Sequence, residues 1–301
     1  MSETERTDTP ASQVAAARYT TVSVRLLDHA LFVTLNRPRV RNAMSLAMVD
    51  ELIGIFTALK GDRSIRAVVM RGAEGHFCAG GDIKDMAMAR QAEAVDGVDP
   101  IARVNRRFGD LLVAAQGLDQ VLVVALEGSV LGGGFGLACV SDVAIATADA
   151  RFGLPEVTLG LPPAQIALFV GRRIGLAQTR RLALTGARFN GTEAGRLGLV
   201  HYVEADENDL EWRLKVVLAE IRRCAPEALA VTRAMLNDLA AGSDVRPLDR
   251  RLDEAADAFA QAVRGDEGMA GTLAFISKQR PPWNPPTEEQ PEAEPSEGEP
   301  T

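Results

Sequence analysis

The sequence predicts an α/β fold, a largely parallel sheet with crossing helices, followed by a region that is all helix. Three observations carry this expectation. Short apolar runs at 67–70, 121–126 and 143–147 alternate with helical patterns, the layout of right-handed crossover units. Two of these runs, 67–70 and 121–126, end in turns rich in small residues, and each turn opens into a further helical pattern. From Glu207 onward only helical periodicity remains.

Taken in order, residues 1–17 are polar and small and are expected to be disordered. Alternation from Val22 to Leu35 around Asp28-His29-Ala30 reads as a two-stranded hairpin, ended by Asn36-Arg37-Pro38. Ser45 then caps a helix with apolar positions at Leu46, Val49, Leu52, Ile53 and Phe56. The strand at 67–70 leads through the first small-residue turn to an acidic stretch near 90–100 and a helix over 101–116. The strand at 121–126 leads through the second turn to a helix over 133–140, and a strand follows at 143–147. Residues 177–184 are helical, Asn190 caps a short helix, and 200–203 is extended. The helical region spans 206–280, with helices near 207–223, 226–240, 249–264 and 267–279; Pro226 suits a first helical turn. Pro281-Pro282-Trp283-Asn284-Pro285-Pro286 stops the last helix, and 281–301 reads as a disordered Pro- and Glu-rich tail.

Composition narrows the function class. The 301 residues can bury a large core, and no apolar stretch reaches the length of a membrane helix, so no membrane partner is expected. The first eight residues are polar and acidic, without a signal peptide's apolar stretch, and Gly298-Glu299-Pro300-Thr301 is no peroxisomal address, so the cytoplasm is the expected compartment. Three cysteines without metal-like pairing fit a reducing compartment. The net charge of −8 argues against nucleic acid as a partner. Five Arg-Arg pairs, at 106–107, 172–173, 180–181, 222–223 and 250–251, interrupt the acidity and read mainly as solvated helix faces. His29, His76 and His201 are scattered without ligand spacing, so no metal is expected.

The chemistry concentrates in the two turns. The first is His76-Phe77-Cys78-Ala79-Gly80-Gly81-Asp82-Ile83-Lys84, and the second is Glu127-Gly128-Ser129-Val130-Leu131-Gly132-Gly133-Gly134. Each lies between a strand end and a helix start, where main-chain N–H groups can be aimed at one point to bind a developing oxyanion. A glycine triplet alone is more often a tight turn than a catalytic feature. Cys78 sits in the first turn, but small residues suit that turn sterically, and its only nearby partner in sequence is His76.

In this order and spacing, with Phe152-Gly153-Leu154-Pro155-Glu156 downstream, these segments resemble the enoyl-CoA hydratase/isomerase family, the crotonases. The resemblance runs from about Tyr19 to Lys278 and implies a crotonase-like ββα spiral core over 18–205 with a C-terminal helical region used in oligomerisation. It also implies a homotrimer or a hexamer built as a dimer of trimers. The implied substrate is an acyl-CoA thioester, with coenzyme A entering as part of the substrate and no permanently bound cofactor. Matched position by position, the oxyanion donors are the amides of Gly81 and Gly133, and Glu156 is the catalytic carboxylate. Ala79, Gly81, Asp82, Ile83 and Lys84 are expected along the coenzyme, and Phe275 and Lys278 match a Phe-x-x-Lys pattern expected near its adenine and 3′-phosphate.

One departure bears on mechanism. Hydratases of the family hold a water between two glutamates, and the first would stand where this chain has Gly136 in Gly-Gly-Gly-Phe-Gly-Leu-Ala. Glu156 alone could activate the water and return its proton, or shuttle a proton along the acyl chain as single-glutamate enoyl-CoA isomerases do, or another acid, with Asp142 nearest in sequence, could fill the gap. A homologue that binds acyl-CoA or RNA without catalysis is the alternative outside enzymes. Gly136 and the run 160–173 resemble the glutaconyl-CoA hydratase branch, including the isohexenylglutaconyl-CoA hydratases of acyclic terpene catabolism. That implies a 3-branched glutaconyl-CoA, such as isohexenylglutaconyl-CoA or 3-methylglutaconyl-CoA. Gln165, Arg172 and Arg173 are candidates to receive its distal carboxylate, and Met86 and Met88 to form an apolar wall.

Overall fold

The computed structural model describes residues 9–94, 97–240 and 248–285. Within them the strands are β1 (Val22–Leu27), β2 (Ala30–Leu35), β3 (Ala67–Gly72), β4 (Val121–Leu126), β5 (Ser129–Leu131), β6 (Val143–Thr147), β7 (Arg151–Gly153), β8 (Arg188–Asn190) and β9 (Tyr202–Glu204). The main sheet runs β1-β2-β3-β4-β6-β9; β1 and β2 form the antiparallel hairpin and every other pairing is parallel. A second sheet, β5-β7-β8, lies beyond it. Its three-residue strands are too short to leave a period in the sequence.

The helices are α1 (Pro10–Ala16), α2 (Leu46–Ala58), α3 (Ile83–Gln91), α4 (Pro100–Gln116), α5 (Gly133–Val140), α6 (Ala164–Thr185), α7 (Gly191–Arg196), α8 (Glu207–Arg222), α9 (Pro226–Ala240), α10 (Leu248–Arg264) and α11 (Asp266–Ile276). At β3, β4 and β6 both faces of the main sheet are covered, which is why these strands read as unbroken apolar runs. Leu122, Val124 and Leu126 of β4 pack forward onto a core shared with α2, α4 and α5. Val123 and Ala125 pack backward against Leu210, Leu214 and Val217 of α8. Ser45 caps α2 as expected, its side chain accepting from the Met48 amide.

Two expectations need correction. The disorder expected over 1–17 does not hold from Thr9 onward: Thr9 with Ser12 forms a capping box that starts α1, and Ala11 and Val14 are buried. Residues 1–8 lie outside the described residues. At the other end, the disorder expected from 281 does not hold for 281–285: the Trp283 indole donates to the Arg223 carbonyl, and the Trp283 carbonyl accepts from Arg66. Residues 286–301 lie outside the described residues. Asp142 is a structural acid, since its Oδ2 accepts from the Leu122 amide at 2.7 Å and from Arg233 at 2.6 Å, tying α9 to the sheet. No described helix is long and apolar enough to cross a membrane.

Candidate active site

The two small-residue turns are zipped together by main-chain bonds. The Phe77 amide donates to the Glu127 carbonyl, the Cys78 amide to the Ser129 carbonyl, and the Leu131 amide to the Cys78 carbonyl, at 2.8–2.9 Å. His76 accepts the Ser129 amide through Nδ1 at 3.1 Å, so its ring is a clamp between the turns. From the other side, Met44 donates to the Gly80 carbonyl and accepts from the Asp82 amide. The Gly81 amide is thus held between two bonded neighbours while donating to no acceptor among the described residues. Gly133 begins α5, so its amide has no intrahelical acceptor either, and it carries the positive end of that helix.

Gly132 makes the second turn possible. Its φ of 46° with ψ of −113° is a backbone state that side-chained residues avoid. A Cβ there would lie 2.8 Å from Oε1 of Glu156. That proximity follows from the Gly132 amide donating to the Gly153 carbonyl at 3.2 Å, which docks the end of β7 against the turn. Pro155 then opens a single 3-10 turn, Pro155–Leu159, and Glu156 is its second residue.

Gly81, Gly133 and Glu156 line one cavity of about 560 Å³. Its walls are mainly apolar, with Met44, Met86, Ile101, Phe108, Leu161 and Ile166 among them. Oε2 of Glu156 is buried and has no hydrogen-bond partner among the described residues. Burial pushes the Glu156 carboxyl above the ordinary carboxylate range, with a bond from its own amide opposing. The other carboxylates in the lining are engaged. Asp82 pairs with Arg37 at 2.7 Å and caps α3, Asp85 accepts from the Leu46 amide, and Asp99 caps α4.

The remaining residues singled out in the sequence divide. Asp82 lines the cavity; Ala79, Ile83 and Lys84 flank its Gly81 edge in the chain without lining it. Phe275 and Lys278 are exposed at the end of α11 and do not line it, so a single chain does not bring them to the site. Cys78 is buried, and burial pushes its thiol up to about 11, the opposite of an activated nucleophile. Position 136 faces apolar neighbours: a Cβ there would meet Leu112 and Ile166 at 3.4–3.5 Å.

Of the candidates for a distal carboxylate, only Gln165 lines the cavity. Arg173 is spent on main-chain carbonyls of Leu199 and Ser141, and Arg172 lies 5.9 Å over the Phe169 ring. Met86 is in the wall, but Met88, two residues on and therefore on another face of α3, is exposed and outside it.

A sequence profile of the family described as enoyl-CoA hydratase/isomerase matches residues 29–286, most of the chain. The chain belongs to the enoyl-CoA hydratase/isomerase family. Among solved structures it is similar to Pseudomonas aeruginosa AtuE, with 58% identity, a TM-score of 0.84, and coverage of 88% of this chain and 100% of that one. An enoyl-CoA hydratase/isomerase from Marinobacter aquaeolei matches at 51% identity with a TM-score of 0.84, covering 88% of this chain and 99% of that one. The 2,3-dehydroadipyl-CoA hydratase of Escherichia coli is 30% identical over 252 residues, 83% of this chain and 93% of its own length.

Arg90 and Asn105 also line the cavity, although neither belongs to a motif of the sequence. A signal for Arg90 existed: it is four residues after Met86 and so shares its helix face.

Proposed function

We propose that the protein is a hydro-lyase that adds water across the 2,3 double bond of an enoyl-CoA thioester, and that the acyl group is a 3-branched glutaconyl. The observation that carries the reaction is the unpartnered, buried Oε2 of Glu156 in the same cavity as the free amides of Gly81 and Gly133.

The thioester oxygen takes the two amides. Glu156 removes a proton from water as its oxygen bonds to C3, and the electrons of the double bond move onto the thioester as an enolate. The amides stabilise that charge; loss of one such donor typically costs about 3 kcal/mol. Protonated Glu156 then returns the proton to C2, so the elements of water are added and the carboxylate is regenerated. A dry site with a raised carboxyl pKa suits a group that must both take and give the proton.

The substrate class rests on Gly136, on the run 160–173, and on an apolar cavity with room for a branch. A relative named for dehydroadipyl-CoA supports an acyl chain with a second carboxylate. Gly136 also favours a second reading, a Δ-isomerase that uses Glu156 alone. The exposed Phe259, Leu273, Phe275 and Ile276 on α10 and α11 support a homotrimer or dimer of trimers.

The test is to incubate the protein with 3-methylglutaconyl-CoA, isohexenylglutaconyl-CoA, crotonyl-CoA and a 3-enoyl-CoA while following 2-enoyl thioester absorbance. Loss of absorbance on the glutaconyl thioesters, abolished by Glu156→Gln, is the expected result. A gain on the 3-enoyl thioester alone makes it an isomerase, and no change on any substrate moves the protein to a binding role.

A further inference from the structure

The cavity around Glu156 contains one cation among its described lining residues, Arg90. The three aspartates that share the lining have other partners: Asp82 has Arg37, Asp85 has the Leu46 amide, and Asp99 has the amides of Ile101 and Ala102. Arg90 has no hydrogen-bond or ion-pair partner among the described residues. A guanidinium facing a largely apolar cavity without a counter-ion is a ready receptor for a carboxylate, which it can grip through two parallel N–H bonds.

Its position on α3 fits that role. The side chain of Met86 leans back over the start of the helix, so far that its Cε lies 3.0 Å from where a Cβ on Gly81 would be. Side chains on a helix generally lean toward its N-terminus, and Arg90 is the next residue on the same face. One helical turn, about 6 Å of rise, separates Met86 from Arg90. The two carboxyl carbons of a glutaconyl chain are four bonds apart, a comparable span. Across the cavity, Gln165 donates to Oδ1 of Asn105 at 3.2 Å, which leaves the Asn105 amide nitrogen as a second donor.

Resting on the reading that the substrate is a glutaconyl thioester, we propose that Arg90 is the residue that selects it, by pairing with the distal carboxylate while Gly81 and Gly133 hold the thioester oxygen. This replaces Arg172 and Arg173, which the fold commits elsewhere.

The experiment compares 3-methylglutaconyl-CoA with 3-methylcrotonyl-CoA, which keeps the branch and the coenzyme but lacks the distal carboxylate. Wild type, Arg90→Gln and Arg90→Lys are assayed for kcat/KM on both. Arg90 is exposed and unpartnered, so the variants are expected to fold as the wild type does, with an unchanged Tm. The expected result is a drop of about 10- to 100-fold for Arg90→Gln on 3-methylglutaconyl-CoA, with 3-methylcrotonyl-CoA unchanged within about twofold and partial recovery in Arg90→Lys. An equal drop on both thioesters overturns the proposal and assigns Arg90 to the coenzyme. A wild-type preference for 3-methylglutaconyl-CoA that survives in Arg90→Gln overturns it while leaving the substrate class standing. A wild type that does not prefer the dicarboxylic thioester sinks both.

Discussion

Glu127 and Glu156 are two inward carboxylates that burial treats alike and partners treat differently. Glu127 follows β4 and lines the groove between the main sheet and α8. Its carboxyl is pushed up by burial, and Arg71 at 3.3 Å opposes that shift. Arg71 is shared with Glu211 and, more distantly at 3.8 Å, with Glu207, so one guanidinium serves three acids in this cluster. Glu156 is also pushed up by burial, but one of its oxygens has no hydrogen-bond partner among the described residues. Burial alone therefore does not mark a catalytic acid. What separates the two is that moving a proton at Glu156 breaks no ion pair, whereas at Glu127 it disturbs a network.

The largest effect that should separate them is Glu156→Gln, which is expected to lower thioester turnover by about 10²- to 10⁴-fold, while Glu127→Gln leaves turnover within about twofold. The signs for stability follow from the pKa directions. A carboxyl whose folded pKa is raised binds its proton more tightly when folded, so its contribution is present at low pH and is lost as pH rises through the window above the ordinary carboxylate value. Glu156→Gln should therefore leave Tm at neutral pH unchanged or raise it. The same direction puts the acid limb of kcat/KM in wild type above the ordinary carboxylate range. A limb at the ordinary value would mean the site is wet.

A smaller loss is expected when Glu156 is kept but displaced. Gly132→Ala forces a side chain into a backbone state that costs about 1–3 kcal/mol, and its Cβ would meet Oε1 of Glu156 at 2.8 Å. Turnover should fall about 10²-fold through mispositioning, with a Tm loss that Glu156→Gln does not show. Equal kinetics with wild type would mean the turn relaxes without moving the carboxylate.

On the other face the cation should matter more than the acid. Arg71→Ala leaves Glu127, Glu207 and Glu211 facing one another, and is expected to cost about 1–2 kcal/mol, discounted because Arg71 and Glu211 are partly exposed. Glu127→Gln should change stability by less than about 1 kcal/mol, since burial already outweighs its pairing. Urea unfolding of the two variants measures this. The reverse order would show that Glu127 organises that cluster.

The sequence carried the elements with strong period or clear punctuation. The strands at 121–126 and 143–147 and the helix at 133–140 lie where the apolar runs and the glycine turn put them. The second sheet was not legible because β5, β7 and β8 have three residues each, and α1 was hidden because only Ala11 and Val14 mark its buried side. At the site, Gly81, Gly133 and Glu156 were legible as a pattern, and the fold brings all three to one cavity. Partners were not legible. Arg172 and Arg173 read the same as any basic pair, and only packing reveals that one lies on Phe169 and the other on main-chain carbonyls. The partner of Asp142 is likewise not legible, since Arg233 lies 91 residues later.

The smallest effect concerns the position where a second carboxylate is missing. A Cβ on Gly136 would meet Leu112 and Ile166 at ordinary contact distance, and Gly136 lies inside α5 with unexceptional backbone angles. Gly136→Ala should therefore be tolerated and, as a helix-interior replacement of glycine, should stabilise by about 0.5–1 kcal/mol, with turnover within a few-fold of wild type. Glu127 and Glu156 show why the longer Gly136→Glu should not simply restore a second acid. A carboxylate at 136 would leave the helix between Leu112 and Ile166 without the cation that serves Glu127. If Gly136→Ala instead abolished turnover while raising Tm, the site would need the bare glycine as space for the acyl branch, and single-glutamate chemistry would be tied to the shape of the substrate.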